Sequence, residues 1–128
     1  MTRAEIGRWG EDTAARYLES KGYTILARNH HSKYGEVDII AKDDKYIVFA
    51  EVKVRAQGAR VTGLEAVTYS KASKILKTAV LWMNDNPTKL QPRFDIIEIT
   101  TLSPGTTIFL SLKVTENAFG AEVCREYF

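Results

Sequence analysis

Two neighbouring segments of this sequence carry acidic and basic side chains at a spacing that suits phosphate chemistry. Glu51 and Lys53 are two residues apart within an apolar, β-branched stretch, so in an extended strand both side chains point the same way. Asp38 lies in the preceding β-branched stretch. Two carboxylates beside an ammonium group can hold a divalent cation and offset charge that develops on a phosphate.

The strand predicted for Tyr46–Arg55 has two chemically different faces. Alternate positions form a wholly apolar face that must pack on the core: Val48, Ala50, Val52 and Val54. The opposite face starts apolar and ends charged: Ile47, Phe49, Glu51, Lys53 and Arg55. Open α/β sheets place their sites at the carboxyl ends of strands, so we expect the site at this end.

A hairpin is predicted to bring Asp38 next to Glu51. The polar residues 42–45 form the turn between strands 36–41 and 46–55. A loop of two or four residues puts both carboxylates on one face, as direct partners about 5 Å apart or diagonal neighbours about 7 Å apart. Glu36 and Ile40 share that face. Because facing carboxylates repel, this pair favours a bound cation such as Mg²⁺.

Glu11 is the acid of the first predicted helix, residues 5–21, that leans toward the apolar side. A partly buried glutamate needs a partner. A metal–water cluster beside Asp38 and Glu51 would supply one. The alternative is an ordinary boundary residue paired with an arginine.

The predicted elements describe one α/β domain spanning residues 1–128, with a mixed central sheet flanked by helices in the order α-β-β-β-α-β-β. The strand–helix–strand unit should be a right-handed parallel crossover. Ser70 is the predicted cap of the second helix. The remaining predicted elements are strand 23–30, loop 56–68, helix 69–84 and strands 94–100 and 107–114.

Positive charge is concentrated in the middle of the chain. Residues 52–93 hold eight basic and two acidic side chains, a net charge of +6, between segments of −1 and −3. This distribution favours a phosphate-binding surface, with a solvated helix face as the alternative. On the second helix, Lys71 lies nearest the apolar border of a stripe that also contains Lys77. The candidate nucleic-acid contacts are Arg55, Arg60, Lys71 and Lys74.

Other features restrict the environment and the remaining candidates. The single cysteine excludes an internal disulfide, no apolar run approaches the roughly 18 residues of a membrane span, and the charged start lacks a signal sequence. We therefore expect a cytoplasmic protein without membrane contact. His30 and His31 are adjacent and should point oppositely. Asp95 is interpreted as a structural partner of Arg93.

Several motifs make this sequence similar to a known nuclease group. Gly35-Glu36-Val37-Asp38 followed by Glu51-Val52-Lys53 resembles the PD-(D/E)XK superfamily, which includes restriction endonucleases and Holliday-junction resolvases. The match is closer to the YraN family, whose opening helix resembles Gly7-Arg8-Trp9-Gly10-Glu11. The resemblance covers about residues 5–119 and leaves 120–128 as a tail. Val37 stands where the superfamily often has proline.

The resemblance implies a restriction endonuclease-like fold and assigns roles to the candidate residues. Asp38 and Glu51 would ligate Mg²⁺ or Mn²⁺, and Lys53 would lie against the attacking water or the scissile phosphate. Glu11 would hold a metal-bound water or a second metal. Glu36 is an accessory acid, or alternatively the salt-bridge partner of Lys53.

The sequence therefore predicts a metal-dependent nuclease that acts on DNA, with branched or structured DNA among the candidate substrates. Two alternatives stay open because fold does not dictate function. One is a non-catalytic nucleic-acid-binding module of the same fold. The other is an interaction or assembly protein whose acids hold a structural cation. The oligomeric state is open, with a homodimer among the alternatives.

Overall fold

Helices and strands follow one another in the predicted order within residues 1–59 and 67–120, which a computed structural model describes. The α/β prediction is confirmed, and β1 extends two residues beyond its predicted end. The elements are α1 Arg3–Ser20, β1 Thr24–Ser32, β2 Gly35–Lys42, β3 Tyr46–Ala56, α2 Tyr69–Asp85, β4 Gln91–Thr101 and β5 Phe109–Thr115.

The five strands form one mixed sheet in the order β1-β2-β3-β4-β5. The β3–β4 pair is parallel, from Tyr46 opposite Gln91 to Ala56 opposite Thr101, and the other neighbouring pairs are antiparallel. The predicted parallel pairing of strands around the second helix is therefore confirmed. This pairing places the carboxyl ends of β3 and β4 at the same end of the sheet.

Threonine caps start both helices. Thr2 and Glu5 form a reciprocal capping box at α1, with Glu5 N–H donating to Thr2 Oγ1 at 3.1 Å. At α2, the backbone N–H of Lys71 donates to Thr68 Oγ1 at 3.2 Å. The prediction of Ser70 as this cap was wrong, because Thr68 has the extended backbone that a cap requires and Ser70 is already helical.

The sheet is covered on both faces by apolar side chains. On the α1 face, Leu18 packs in one buried cluster with Val48 and Ala50, and Val52 and Val54 pack against it, so the predicted apolar face of β3 is confirmed. On the α2 face, Leu76 shares a second cluster with Phe49 and Phe94, whose rings stack 5.5 Å apart. Burial on both faces fixes the sheet between the helices and leaves the site at the carboxyl end of β3.

Gly10 is the point at which α1 rests directly on β3. A Cβ at this position would clash with Val54. At Gly7, one turn earlier, a Cβ would meet nothing within 4 Å. The close approach at Gly10 sets the height of α1, and therefore of Glu11, above the sheet.

The regular alternation predicted for β2 is interrupted at Asp38. Val37 and Ile40 both pack in the α2-side cluster, whereas Ile39 packs in the α1-side cluster. In β1, Asn29 lies between the residues paired with Val37 and Ile39 and has a left-handed φ of 49°. The prediction that Glu36, Asp38 and Ile40 share one face by simple alternation was therefore wrong.

At the start of β4, Asp95 and Arg93 form a buried network far from the charged end of the sheet. Asp95 has no exposed surface and accepts from Arg93 Nη2 at 2.8 Å and from the Asn117 backbone N–H at 2.9 Å. Arg93 Nη2 also donates to the Tyr23 hydroxyl at 2.7 Å. The predicted Arg93–Asp95 pair is confirmed.

Neither helix in the described part of the chain is both long and apolar enough to cross a membrane.

Candidate active site

The site begins where β2 separates from β3. The two strands pair from Lys42 opposite Ile47 to Ile39 opposite Ala50, which is one of the two predicted registers. Beyond this pair, Asp38 Oδ2 accepts a hydrogen bond from the backbone N–H of Val52 at 2.8 Å. This bond attaches the Asp38 carboxylate to the residue that follows Glu51 in β3.

Asp38 and Glu51 are buried carboxylates, with only 6% and 5% of their surfaces exposed. The pKa of Asp38 is raised from its usual 3.8 to about 7, first by burial and then by the charge of Glu51. The Val52 N–H acts in the opposite direction by stabilising the ionised form. The effect of the Glu51 charge on the pKa of Asp38 shows that the two acids lie close together.

Two lysines meet at one oxygen of Glu51. Lys53 Nζ lies 3.1 Å and Lys71 Nζ lies 2.7 Å from Glu51 Oε1. Lys53 comes from the same face of β3 and Lys71 from the first turn of α2. The structure therefore brings together the predicted acid, the predicted lysine of its strand and the helix lysine predicted to lie nearest the apolar border.

The two lysines have different affinities for their protons. Burial lowers the pKa of Lys53, and the nearby Lys71 adds to this effect. Burial is the largest single influence on Lys71 and acts against its charge, but its hydrogen bonds and the charges of Glu51 and Asp38 together outweigh burial and raise the pKa of Lys71. Lys71 is therefore the firmer cation, while Lys53 gives up its proton more readily.

Glu11 and Glu36 lie near these residues without joining them in one ligand group. Both charges contribute to the raised pKa of Asp38, after burial, Glu51 and the opposing Val52 N–H. Across residues 1–59 and 67–120, no three His, Cys, Asp or Glu side chains group closely enough to hold a metal ion together. The conformation therefore does not assemble the three-carboxylate set expected for Glu11, Asp38 and Glu51.

Glu36 has a different partner from the one considered in the sequence analysis. Its Oε2 lies 3.5 Å from His31 Nε2, and the recorded carboxylate partner of Lys53 is Glu51. His30, by contrast, packs its ring edge-on against Trp82. The two histidines thus have separate surroundings, as predicted.

Two cavities border the site. The first, of about 550 Å³, lies beside α1 and is lined by Arg3, Glu11, Lys53 and Arg55 among others. The second, of about 350 Å³, lies beside α2 and is lined by Glu36, Glu51, Lys71 and Lys74 among others. Three predicted nucleic-acid contacts therefore border the site, and Arg60 lies outside the described residues.

Arg3 is a site residue that sequence reasoning missed. It lies in the first turn of α1 and lines the same cavity as Lys53. Its exposed position on an amphipathic helix did not mark it as a candidate site residue. The close contact of α1 with β3 at Gly10 decides which end of the helix lies near the site.

The oxygen atoms of this site suit a hard divalent cation. Asp38 and Glu51 supply two buried carboxylates. Because the charge of Glu51 raises the pKa of Asp38, added positive charge would be favourable beside them. Mg²⁺ commonly takes one or two protein carboxylates and keeps several waters. Asp38 and Glu51 are the residues that fit this role.

Comparison with known proteins places this site within a family. The profile described as "Uncharacterised protein family UPF0102" matches residues 10–99, which include the four central site residues Asp38, Glu51, Lys53 and Lys71. The chain belongs to the UPF0102 family. This is the family that the sequence analysis identified as YraN, so that prediction is confirmed.

UPF0102 relatives from three bacteria match between 74% and 95% of the chain. A UPF0102 protein of Sulfurihydrogenibium sp. is 42% identical over 123 residues, covering 95% of this chain and 100% of the relative. One from Clostridium botulinum (strain Loch Maree) is 43% identical over 117 residues, covering 90% and 94%. One from Syntrophomonas wolfei is 43% identical over 97 residues, covering 74% and 84%.

Proposed function

We propose that this UPF0102 chain is a metal-dependent nuclease of the PD-(D/E)XK superfamily that hydrolyses phosphodiester bonds in DNA. The observation that carries the proposal is the convergence of buried Asp38 and Glu51 with the ammonium groups of Lys53 and Lys71. The sequence around these acids and Lys53 resembles the superfamily motif, and the residues lie where β2 separates from β3. Burial of these charges opposes folding, and phosphate chemistry gives them a use.

Asp38 and Glu51 would hold Mg²⁺ or Mn²⁺. The cation, when bound, lowers the pKa of water and polarises the phosphate. Asp38 is already held in place by the Val52 N–H, so its carboxylate needs little reorganisation to act as a ligand. Both lysines contact Glu51 Oε1, so Glu51 would offer its other oxygen, Oε2, to the cation.

The two lysines take different parts in hydrolysis. Lys53, whose pKa is lowered by burial, contacts the attacking water and can exchange a proton with it. Lys71 keeps its charge and offsets the negative charge that builds on the phosphate in the transition state. Lys74 and Arg55, on the walls of the two cavities, contact flanking phosphates.

A second function is favoured by the pairing of Glu51 with two lysines. If these ion pairs serve only to fix Lys53 and Lys71 on a phosphate-binding surface, the chain is a nucleic-acid-binding module of the same fold. This alternative predicts salt-dependent binding without metal-dependent turnover.

A cleavage screen tests the nuclease proposal. Linear, flapped and four-way DNA and RNA are incubated with Mg²⁺ or Mn²⁺ and wild-type protein, Asp38→Asn or Lys53→Ala. We expect wild type to cleave DNA, Asp38→Asn to lose metal-dependent cleavage, and Lys53→Ala to lose about 10²–10³-fold in rate, as for other electrostatic groups. Melting curves with and without metal accompany each assay.

Asp44→Asn and Lys89→Ala are the matched controls, because both residues are exposed in turns at the opposite end of β3 and β4. Both should retain wild-type cleavage. A wild-type protein that cleaves no substrate and melts at the same temperature with or without either metal would contradict the nuclease proposal and favour the binding module.

A further inference from the structure

The two cavities at the site lie on opposite faces of the sheet. The larger cavity is lined by Arg3 and Glu11 of α1, and the smaller by Lys71 and Lys74 of α2. Because α1 and α2 cover opposite faces, a ligand that occupied both cavities would have to pass around the end of β3.

The cavities meet at the proposed catalytic residues. Lys53 lines the α1-side cavity and Glu51 lines the α2-side cavity, and their charged atoms are 3.1 Å apart. The residues that line the two cavities are therefore joined at this ion pair. A strand that lay across it would present its backbone to Asp38 and Glu51 with one neighbouring nucleotide on each side.

The size of the cavities favours a flexible strand over a duplex. Volumes of about 550 and 350 Å³ lie in or near the range of roughly 300–1,000 Å³ typical of small-molecule sites, so each suits a group of nucleotide size. A duplex resists the sharp bend that entry into both spaces needs, because its persistence length is about 50 nm. An unpaired strand can.

Two exposed tyrosines directly precede residues that line the α2-side cavity. Gly35 and Ser70 line this cavity, and each directly follows a tyrosine in the chain, Tyr34 and Tyr69. Tyr34 is 36% and Tyr69 is 51% exposed. The ammonium groups of Lys33 and Lys77 lie over the Tyr34 ring, 5.2 and 4.9 Å from its centre, so a base that stacks on this ring takes the place of one of them. Exposed aromatic rings beside lysines are the usual stacking surface for unpaired bases.

We infer that the substrate segment bound by this site is an unpaired strand of nucleic acid, which passes around the end of β3 from the Arg3 cavity to the Lys71 cavity. The inference rests on the proposed nuclease function and names its substrate class. Arg3 contacts the backbone on the α1 side, and Tyr34 stacks on a base on the α2 side.

The binding test uses fluorescence anisotropy in EDTA, so that no metal-dependent cleavage consumes the probe. The labelled probes are an oligothymidylate strand, a blunt hairpin duplex, and the same hairpin with an unpaired tail, each also made as RNA with uridine in place of thymidine. We expect the strand and the tailed hairpin to bind at least about tenfold more tightly than the blunt hairpin. The RNA probes identify which sugar the site prefers.

Matched variants locate the strand. Arg3→Ala should weaken binding of the single strand several-fold, while Arg8→Ala, an exposed arginine on the same helix, should not. Tyr34→Ala should weaken it about fivefold or more, because stacking on an aromatic ring contributes about 1–3 kcal/mol per base. Tyr34→Phe should retain the affinity.

Equal affinity for the blunt hairpin, or equal losses for strand and blunt hairpin in Arg3→Ala and Tyr34→Ala, would overturn the inference. Cleavage of the same probes with Mg²⁺ separates it from the nuclease proposal. Cutting confined to unpaired DNA supports both. Cutting of the blunt hairpin at an equal rate overturns the strand inference alone. Preferential strand binding without any cutting supports the strand site and removes the nuclease activity.

Discussion

At the scale of single residues, Asp38 experiences opposing electrostatic influences. Burial and the charge of Glu51 favour its protonated form, and the Val52 N–H favours the ionised form. Burial and the Glu51 charge outweigh the Val52 N–H, so the pKa of Asp38 is raised to about 7. Ionisation of Asp38 is therefore unfavourable without a metal, and a divalent cation would offset this cost by stabilising the ionised carboxylate.

This raised pKa gives the stability of the metal-free protein a defined pH dependence. An acid with a folded pKa of about 7 and an ordinary value of 3.8 binds its proton more tightly in the folded state. The stability that this proton contributes is therefore present at low pH and is lost as pH rises through about 7. Asp38→Asn removes this loss while its side-chain oxygen can still accept from Val52 N–H.

We therefore expect Asp38→Asn to gain stability relative to wild type as pH rises from about 5 to 8, by up to a few kcal/mol. Urea unfolding in EDTA at several pH values measures this difference. Asp44→Asn, which alters an exposed turn carboxylate, should show little such trend. A stability difference for Asp38→Asn that does not change with pH would show that Asp38 is ionised in the fold at all these values.

At the scale of elements, the contact between α1 and β3 decides where Glu11 and Arg3 lie. The helix can approach the strand closely because residue 10 has no side chain, and Val54 fills the space that a Cβ would need. Two glycines one turn apart on the same helix thus have opposite surroundings. They offer a matched pair for measuring the contact.

Gly10→Ala should lower the free energy of unfolding by about 1–3 kcal/mol, because the new methyl group forces α1 away from β3 or shifts Val54. Gly7→Ala adds the same methyl group where nothing lies within 4 Å and should raise stability by up to about 1 kcal/mol. Chemical denaturation of both variants gives the comparison. Similar effects at the two positions would contradict the close packing at Gly10.

At the scale of the whole molecule, the fold separates the basic residues of segment 52–93 that line the site from Arg93. Lys53, Lys71 and Lys74 gather at the site, and Arg55 lines the adjoining cavity. Arg93 is buried with Asp95 at the opposite end of the sheet. The net charge of +6 therefore overstates the positive surface available to a nucleic acid.

This separation predicts which lysines and arginines contribute to salt-dependent binding. Arg55→Ala and Lys74→Ala should each lower affinity for DNA and reduce the slope of log K against log salt by up to about one unit. Lys89→Ala, in the same basic segment but in the exposed turn before β4, should leave the slope unchanged. Titrations over a range of salt concentrations measure the slopes. Equal changes for all three variants would indicate a diffuse charge effect without a defined surface.

Local patterns in the sequence were sufficient for most of the architecture. Alternation in β3, the 3.6-residue periodicity of α1 and α2, and the polar turn 42–45 depend on neighbours within a few residues, so element order and the parallel β3–β4 pair could be predicted. The Glu51–Lys53 pair was predictable for the same reason, since strand parity alone places both side chains together.

Tertiary structure decided what required distant segments to meet. The sequence suggested Asp38–Glu51 repulsion, but only packing of α2 against the sheet shows that Lys71 joins Lys53 on Glu51. The interrupted alternation at Asp38 depends on Asn29 in another strand, and the position of Arg3 depends on the crossing at Gly10. Periodicity reports which face of an element is apolar, whereas the height and direction of each element above the sheet follow from side-chain volumes that meet only in the folded chain.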